Sequence, residues 1–211
     1  MSDEPEKPAR GRPRKIDTDK TLDIALRAYW SADPADVSLN AICQMAGVSK
    51  PSLYREFGNE DGLMRAALDR YAEHVLSDIF HTLSKNMPFQ DTLDALIAFA
   101  SQDPKMETGC VFYKMRAGKH RLGPMTRQRI DEIDAAAVAA YGEFLQNRKE
   151  IGEWNGDAPI ATVARYLVEQ IGLALMQRAA GEDPLSIHAT LVLAFSVLQR
   201  PPKTGPTAAA G

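Results

Sequence analysis

Beyond a polar, charged beginning, apolar positions start to recur at helical spacing near Asp17. Leu22, Ala25, Leu26 and Tyr29 share one face, with Ile24 at its border. Asp33-Pro34-Ala35-Asp36 closes that helix in a loop. Ser38 then stands as an N-cap ahead of Leu39, Ile42 and Met45, which predicts a second, short helix carried on those three apolar positions. Ala46-Gly47-Val48 interrupts it, and Gly47 suits a position needing positive φ. Ser49 caps a third helix. Pro51 falls in its first turn, where the missing N–H costs nothing, and Leu53 and Phe57 form its inward pair. Gly58-Asn59 ends it.

A longer pattern runs from Glu60 to about Lys85 on Leu63, Ala67, Tyr71, Val75 and Ile79, and Met87-Pro88 stops it. Further helices are predicted at about 89–102, 110–119, 124–150, 158–180 and 185–199. Gly109, Gly123-Pro124, Gly156-Asp157 and Gly181-Glu182-Asp183-Pro184 punctuate them. No stretch alternates as a strand would, and no internal repeat is present, so the fold class is all-α. Residues 1–15 place Pro5, Pro8, Gly11 and Pro13 among charges and read as an arm disordered when free. The tail from Pro201 to Gly211 reads as mobile.

The proportions narrow the classes. The chain has 211 residues, 45% hydrophobic and 25% charged, as in globular proteins with an ample core. Cys43 and Cys110 are too few for a disulfide framework or a four-cysteine zinc site. No apolar stretch follows the N-terminal charges, so no secretory signal is expected. The most apolar runs, Ile160 to Met176 and Leu185 to Leu198, are broken by Arg165, Glu169, Gln170 and His188 and are unsuited to a membrane. A reducing cytoplasm is the expected compartment. His74, His81, His120 and His188 show no metal-ligand spacing, so neither metal nor cofactor is expected. Gly109 and Gly118-Lys119 lack the spacing and the Ser/Thr of a phosphate loop, and no nucleophile elbow or zincin motif occurs, which argues against an enzyme.

The net charge is −3, but its distribution matters more. Lys7, Arg10, Arg12, Arg14, Lys15 and Lys20 make the arm basic while the remainder is slightly acidic, which points to an anionic partner. Two short capped helices joined by a glycine turn, behind another helix, describe a helix-turn-helix. On a wheel of the third helix, Leu53 and Phe57 turn inward and Pro51, Ser52 and Arg55 turn outward. Lys50 and Tyr54 share one flank, with Glu56 on the other. Arg55 can reach a guanine edge or a phosphate, Ser52 a base or a backbone oxygen, and Lys50 and Tyr54 phosphates. The caps Ser38 and Ser49 put helix N-termini where phosphates can dock. By spacing alone, an ordinary three-helix bundle with a polar outer face fits as well.

The segment from Val37 to Phe57, VSLNAICQMAGVSKPSLYREF, closely resembles the DNA-binding segment of the TetR family of bacterial transcriptional regulators. Ala46-Gly47-Val48-Ser49, Leu53-Tyr54 and Phe57 are its most diagnostic positions, and the likeness covers about residues 16–70. The resemblance implies three DNA-binding helices followed by an all-helical ligand-binding and dimerisation domain. On that basis the chain divides into a basic arm (1–15), a helix-turn-helix domain (16–60), a ligand-binding and dimerisation domain (61–200) and a tail (201–211). It further implies a homodimer on palindromic double-stranded DNA, usually a repressor released by a small-molecule effector of unknown identity. Lys50, Pro51, Ser52, Tyr54 and Arg55 match the family's DNA-contacting positions. Where the family often carries a phosphate-touching lysine, this chain has Glu60 followed by Asp61. Carboxylates there repel a DNA backbone while suiting the helix dipole.

The stretch Arg10-Gly11-Arg12-Pro13-Arg14-Lys15 resembles an AT-hook core, whose arginines lie along a narrow minor groove. That leaves a non-specific architectural DNA binder as an alternative reading. Residues 158–199 are apolar almost all around, which calls for burial on most faces and points to a two-fold four-helix interface. Leu167, Ile171, Leu175, Leu191, Phe195 and Leu198 are the expected contacts, with Gly172 and Ala174 permitting close approach. Phe99, Met106, Cys110, Phe112, Met115, Tyr141 and Phe144 are candidates for a ligand pocket, although such residues also build plain cores. Cys110, near a predicted helix start with Lys114 and Arg116 close behind, raises a second alternative. That alternative is a redox- or electrophile-sensing thiol.

Overall fold

In the computed structural model, which describes residues 16–199, the Asp17 side chain accepts from the Lys20 N–H and opens α1 (Thr18–Ser31). The predicted face holds: Ala25, Leu26 and Tyr29 are buried and Leu22 packs against them. Helices α2 (Leu39–Ala46) and α3 (Lys50–Phe57) follow; α1 and α3 rest on α4 (Glu60–Tyr71), and α2 packs on α1 and α3. Met45 departs from its expected inward place, being 55% exposed. Six residues beyond Leu39 the helix has turned by about 240°, so Leu39 and Ile42 face the core and Met45 does not.

The long pattern from Glu60 is continuous but not uniform. After α4 a π turn spans Ala72–Leu76, and α5 (Ser77–Ser84) carries the helix onward. The backbone stays right-handed helical through Tyr71, Ala72, Leu76 and Ser77. The chain then forms α6 (Phe89–Gln102), α7 (Val111–Ala117), α8 (Pro124–Glu150), α9 (Ile160–Ala179) and α10 (Pro184–Phe195). A short 3-10 turn at Ser196–Leu198 replaces the expected last turn of α10. No strand occurs among the described residues. None of their helices is long and apolar enough to cross a membrane.

The α4–α5 rod and α8 run side by side in the same direction. Asp61 meets Met125 and Thr126, Asp69 meets Arg129, and Phe80 and Leu83 lie opposite Ala140 and Phe144. Helix α8, with 27 residues, extends roughly 40 Å. Helices α7 and α9 pack on its inner side, and α6 and α10 close the bundle.

This packing overturns the expected interface residues. Leu167, Ile171, Leu175, Leu191, Phe195 and Leu198 all lie in the subunit's own core. Gly172 leaves room for the Tyr113 ring, which a Cβ there would overlap, and Ala174 is buried too. The outward apolar face of α9 and α10 instead carries Leu173, Leu185, Val192, Leu193 and Val197, with Leu185 and Leu193 more than 70% exposed. An all-round apolar helix carries no periodic signal for which stripe its own subunit takes.

Candidate nucleic-acid interface

The two short helices owe their geometry to local chemistry. Ser38 Oγ accepts from the Ala41 N–H at 3.1 Å and starts α2. Gly47 ends it at φ +66°, and Val48 N–H reaches back to the Cys43 carbonyl at 3.0 Å. A Cβ at Gly47 would meet nothing, so the left-handed backbone alone calls for glycine. Ser49 Oγ accepts from the Ser52 N–H at 3.3 Å and donates to Ser52 Oγ at 2.9 Å. The Ser52 hydroxyl therefore keeps its own proton for an outside acceptor.

Leu53 is fully buried and Phe57 half-buried against the core, which fixes the roll of α3. Lys50, Pro51, Tyr54 and Arg55 consequently stand exposed, with Ser52 half-buried between them. The Lys50 Nζ sits 5.6 Å from the Tyr54 ring centroid, which holds the ammonium on the tyrosine's flank. Thr18 Oγ1 donates to Glu56 Oε1 at 2.8 Å, so the carboxylate on the other flank is engaged with α1. Ser38 and Ser49 are exposed at their helix N-termini. Lys50, Pro51, Tyr54 and Arg55 are thus left open to solvent while Leu53 faces the core. Arg10, Arg12, Arg14 and Lys15 lie outside the described residues.

The acidic pair after α3 has separate roles, which sequence reasoning missed. Asn59 Oδ1 caps α4 through the Gly62 N–H at 2.8 Å. A Cβ at Gly62 would overlap the Phe57 carbonyl, so the end of α3 presses directly onto α4. Glu60 is exposed. Asp61 turns to the N-terminus of α8. Its Oδ2 accepts from the Met125 N–H at 2.8 Å, and its Oδ1 accepts from the Thr126 N–H at 3.0 Å and from Thr126 Oγ1 at 2.6 Å. The carboxylate satisfies otherwise unpaired N–H groups of a helix start 64 residues away in the chain. Only an acid following a capped glycine-containing turn could have signalled it, and such an acid is also what a first helical turn favours.

Further contacts bind the three N-terminal helices to the rest. Trp30 Nε1 donates to the Gly109 carbonyl at 2.8 Å, and Lys114 Nζ donates to the Trp30 carbonyl at 2.6 Å. Arg121 pairs with Asp33 and Asp36 and Arg70 with Asp19 and Asp23, while Arg129 pairs with Asp69 between α8 and α4. These contacts tie α1 and the turn after it to α4 and to the segment from α7 to the start of α8, and α4 to α8.

The expected pocket residues are not brought together around one space. Met106, Cys110, Phe112, Met115 and Tyr141 are packed in the core. Phe144 lines a cavity between α5 and α8, while Phe99 lines a separate groove between α5 and α6. Cys110 corrects the sensor reading. Its thiol is 1% exposed and accepts from the Tyr71 hydroxyl at 3.0 Å. Burial pushes its pKa above the ordinary value, outweighing the Tyr71 hydrogen bond, the N–H groups at the start of α7 and the charge of Lys114, which all pull the other way. The thiolate that a redox sensor needs is disfavoured. Cys43 is half-buried and packs against the core.

Comparisons with known proteins agree with this geometry. Residues 22–67 match the bacterial regulatory proteins of the tetR family. The chain is 42% identical over 197 residues to the HTH-type transcriptional repressor ComR of Escherichia coli K12, covering 87% of this chain and 91% of that one. Among solved structures, reduced E. coli NemR superposes with a TM-score of 0.75 at 17% identity over 88% of this chain and 98% of the other. A cysteine variant of the TetR family regulator CifR, complexed with 26-base-pair double-strand operator DNA, superposes with a TM-score of 0.70 at 19% identity. It spans 89% of this chain and all of the other. At these identities the two structures speak to the fold alone.

Proposed function

The chain belongs to the TetR family of bacterial regulatory proteins, and from that premise we propose that it is a homodimeric, sequence-specific transcriptional repressor released from DNA by a small-molecule effector. One observation carries the reading: α3 buries Leu53 and leaves Lys50, Pro51, Tyr54 and Arg55 exposed on a rigidly capped helix. Such a helix fits a major groove, with Arg55 and Ser52 at base edges and Lys50 and Tyr54 at phosphates. Arg10, Arg12, Arg14 and Lys15 extend the contact to the flanking minor groove. The regulator works in the cytoplasm and has no catalytic role.

The outward face of Leu173, Leu185, Val192, Leu193 and Val197 supports pairing with a second copy, since a patch of that kind is unfavourable in water. Pairing sets the two recognition helices about one turn of DNA apart, roughly 34–36 Å. Because Asp61, Trp30 and Arg121 tie the DNA-facing helices to α8 and α7, an effector that moves those helices changes the spacing. DNA affinity then falls by the effector's preference between the two states.

Selection from random double-stranded DNA by the purified protein at about 150 mM salt tests the reading. Enrichment of a two-fold palindrome is expected. Enrichment of A/T-rich DNA without a palindrome would replace it with an architectural role for the arm. No enrichment would refute DNA recognition by the isolated protein.

A further inference from the structure

Among the polar groups that α3 presents, one is a carboxylate. Glu56 is the only acidic residue of the helix, and it is exposed directly after Arg55. It stands four residues beyond Ser52, so the two share a stripe one helical turn apart. Thr18, the first residue of α1, donates its hydroxyl proton to Glu56 Oε1 at 2.8 Å. That partner is neutral, so it orients the carboxylate without cancelling its charge. One hydroxyl also fills only one of the roughly four acceptor sites that a carboxylate offers.

An oriented negative charge on this helix is unfavourable against phosphates and becomes favourable only where it meets a donor on a base edge. A carboxylate accepts hydrogen bonds and donates none. In the major groove guanine offers acceptors at N7 and O6, and thymine offers the O4 acceptor and a methyl group. Adenine sets its N6 donor beside the N7 acceptor, whose lone pair opposes a carboxylate. Cytosine presents its N4 donor with no acceptor beside it on the same base. Because Thr18 already holds Oε1, little side-chain freedom is lost when Oε2 meets that donor.

We propose that Glu56 is a specificity-determining residue that selects a cytosine in each half-site, with Thr18 as the positioning residue that aims it. The inference rests on the DNA-recognition reading above. Four residues of helix rise about 6 Å against about 3.4 Å per base pair, so that cytosine lies within about two base pairs of the one Ser52 meets. Arg55, the adjacent residue, supplies the cation that offsets repulsion between the carboxylate and the backbone. A carboxylate in this place also penalises every sequence that lacks the donor, which adds discrimination that a neutral side chain would not.

Selection from random double-stranded DNA would be run in parallel on the full-length wild type, Glu56→Gln and Thr18→Val, followed by fluorescence anisotropy on duplexes carrying each base at the position that changes. The wild type is expected to enrich a palindrome with cytosine at one position of each half-site and to bind the other bases there about tenfold more weakly. Glutamine both donates and accepts and matches adenine N6 and N7, so Glu56→Gln should move that preference to adenine and leave the other positions as they were. Thr18→Val keeps the side-chain shape and removes the donor. It should lower the cytosine preference about threefold, with the same base selected and the rest of the palindrome intact. Identical sequences recovered by the wild type and Glu56→Gln would overturn the inference while recognition of DNA stands. So would a uniform rise in the affinity of Glu56→Gln for all sequences, because the carboxylate would then only oppose the backbone. Full cytosine preference in Thr18→Val would overturn the positioning role. A wild type that enriches no palindrome would overturn the recognition reading and this inference with it.

Discussion

The recognition segment and the C-terminal bundle are built from the same helix chemistry, yet they work over different ranges along the chain. In α2 and α3, Ser38 reaches Ala41 and Ser49 reaches Ser52, each across three residues. Within the bundle and where it meets the N-terminal helices, Asp61 reaches Thr126 across 65 residues, Trp30 reaches Gly109 across 79, and Gln199 reaches Gln90 across 109. The first region sets its functional face locally and needs only Leu53 and Phe57 to orient it. The second has no functional face until distant helices have chosen their partners. The recognition face should therefore tolerate substitution without loss of fold, while the bundle's contributions appear through assembly and coupling.

The sharpest test of that contrast lies far from the DNA. Leu193→Glu puts a charge at the centre of the exposed α9–α10 face, 73% open in one subunit. It is expected to yield a folded monomer whose DNA affinity falls about 10³-fold or more, toward the non-specific level. Sedimentation would report the assembly and fluorescence anisotropy the binding. A dimer of full affinity would place the interface elsewhere. Arg55→Ala comes next. It should cost about 1–3 kcal/mol at the selected sequence and relax preference at one base position in each half-site. Its melting temperature should stay near wild type, because an exposed surface change typically costs within about ±0.5 kcal/mol. A large stability loss would break the claim that the recognition face is locally set.

What could be read in advance follows the same division. Ser38, Gly47, Ser49 and Pro51 announce their caps and turns because each acts on its own neighbours. The helix ends at Phe89, Gln102, Pro124 and Glu150 are likewise marked by adjacent proline, glycine or polar residues. The side of α10 that faces its own core was not legible. Leu191 and Leu193 are two residues apart and chemically identical, but one is buried and the other exposed by the position of α6. Gly172 looked like a packing surface for another subunit and instead accommodates Tyr113 from α7. The π turn at Ala72–Leu76 has no counterpart in the apolar spacing, which continues through it on Tyr71 and Val75. The cavity between α5 and α8 depends on residues some sixty positions apart.

Asp61 joins the two regions, and its loss should be intermediate. Asp61→Asn keeps a side-chain oxygen but removes the negative charge at the start of α8 and one of the acceptor oxygens. The expected cost is about 0.5–2 kcal/mol in urea unfolding, the range for capping contacts and charge–helix interactions. DNA affinity should change less than it does in Arg55→Ala, while the loss of affinity on adding effector should shrink. An unchanged effector response would mean that the coupling runs through Trp30 and Arg121 instead.

The smallest effect on function is expected at Cys110, the bundle residue whose sequence context most resembles a reactive site. Near pH 7.5 the folded protein should expose Cys43 alone to Ellman's reagent, with Cys110 reacting only after unfolding. Cys110→Ala removes the acceptor of the Tyr71 hydroxyl and should cost about 1 kcal/mol of stability, with DNA affinity changed less than twofold. The pH dependence has a fixed sign. Burial raises the folded thiol's pKa above that of the unfolded chain, about 8.5. The stability this contributes is fully present below that pH. It is lost as pH rises, because the unfolded chain then binds fewer protons, with a slope of at most about 1.4 kcal/mol per pH unit. Cys110→Ala should remove that share of the alkaline slope and leave the neutral plateau flat. Fast modification of Cys110 in the folded protein would show that the tight packing around Tyr71 opens in solution, and the bundle core could no longer count as inert there.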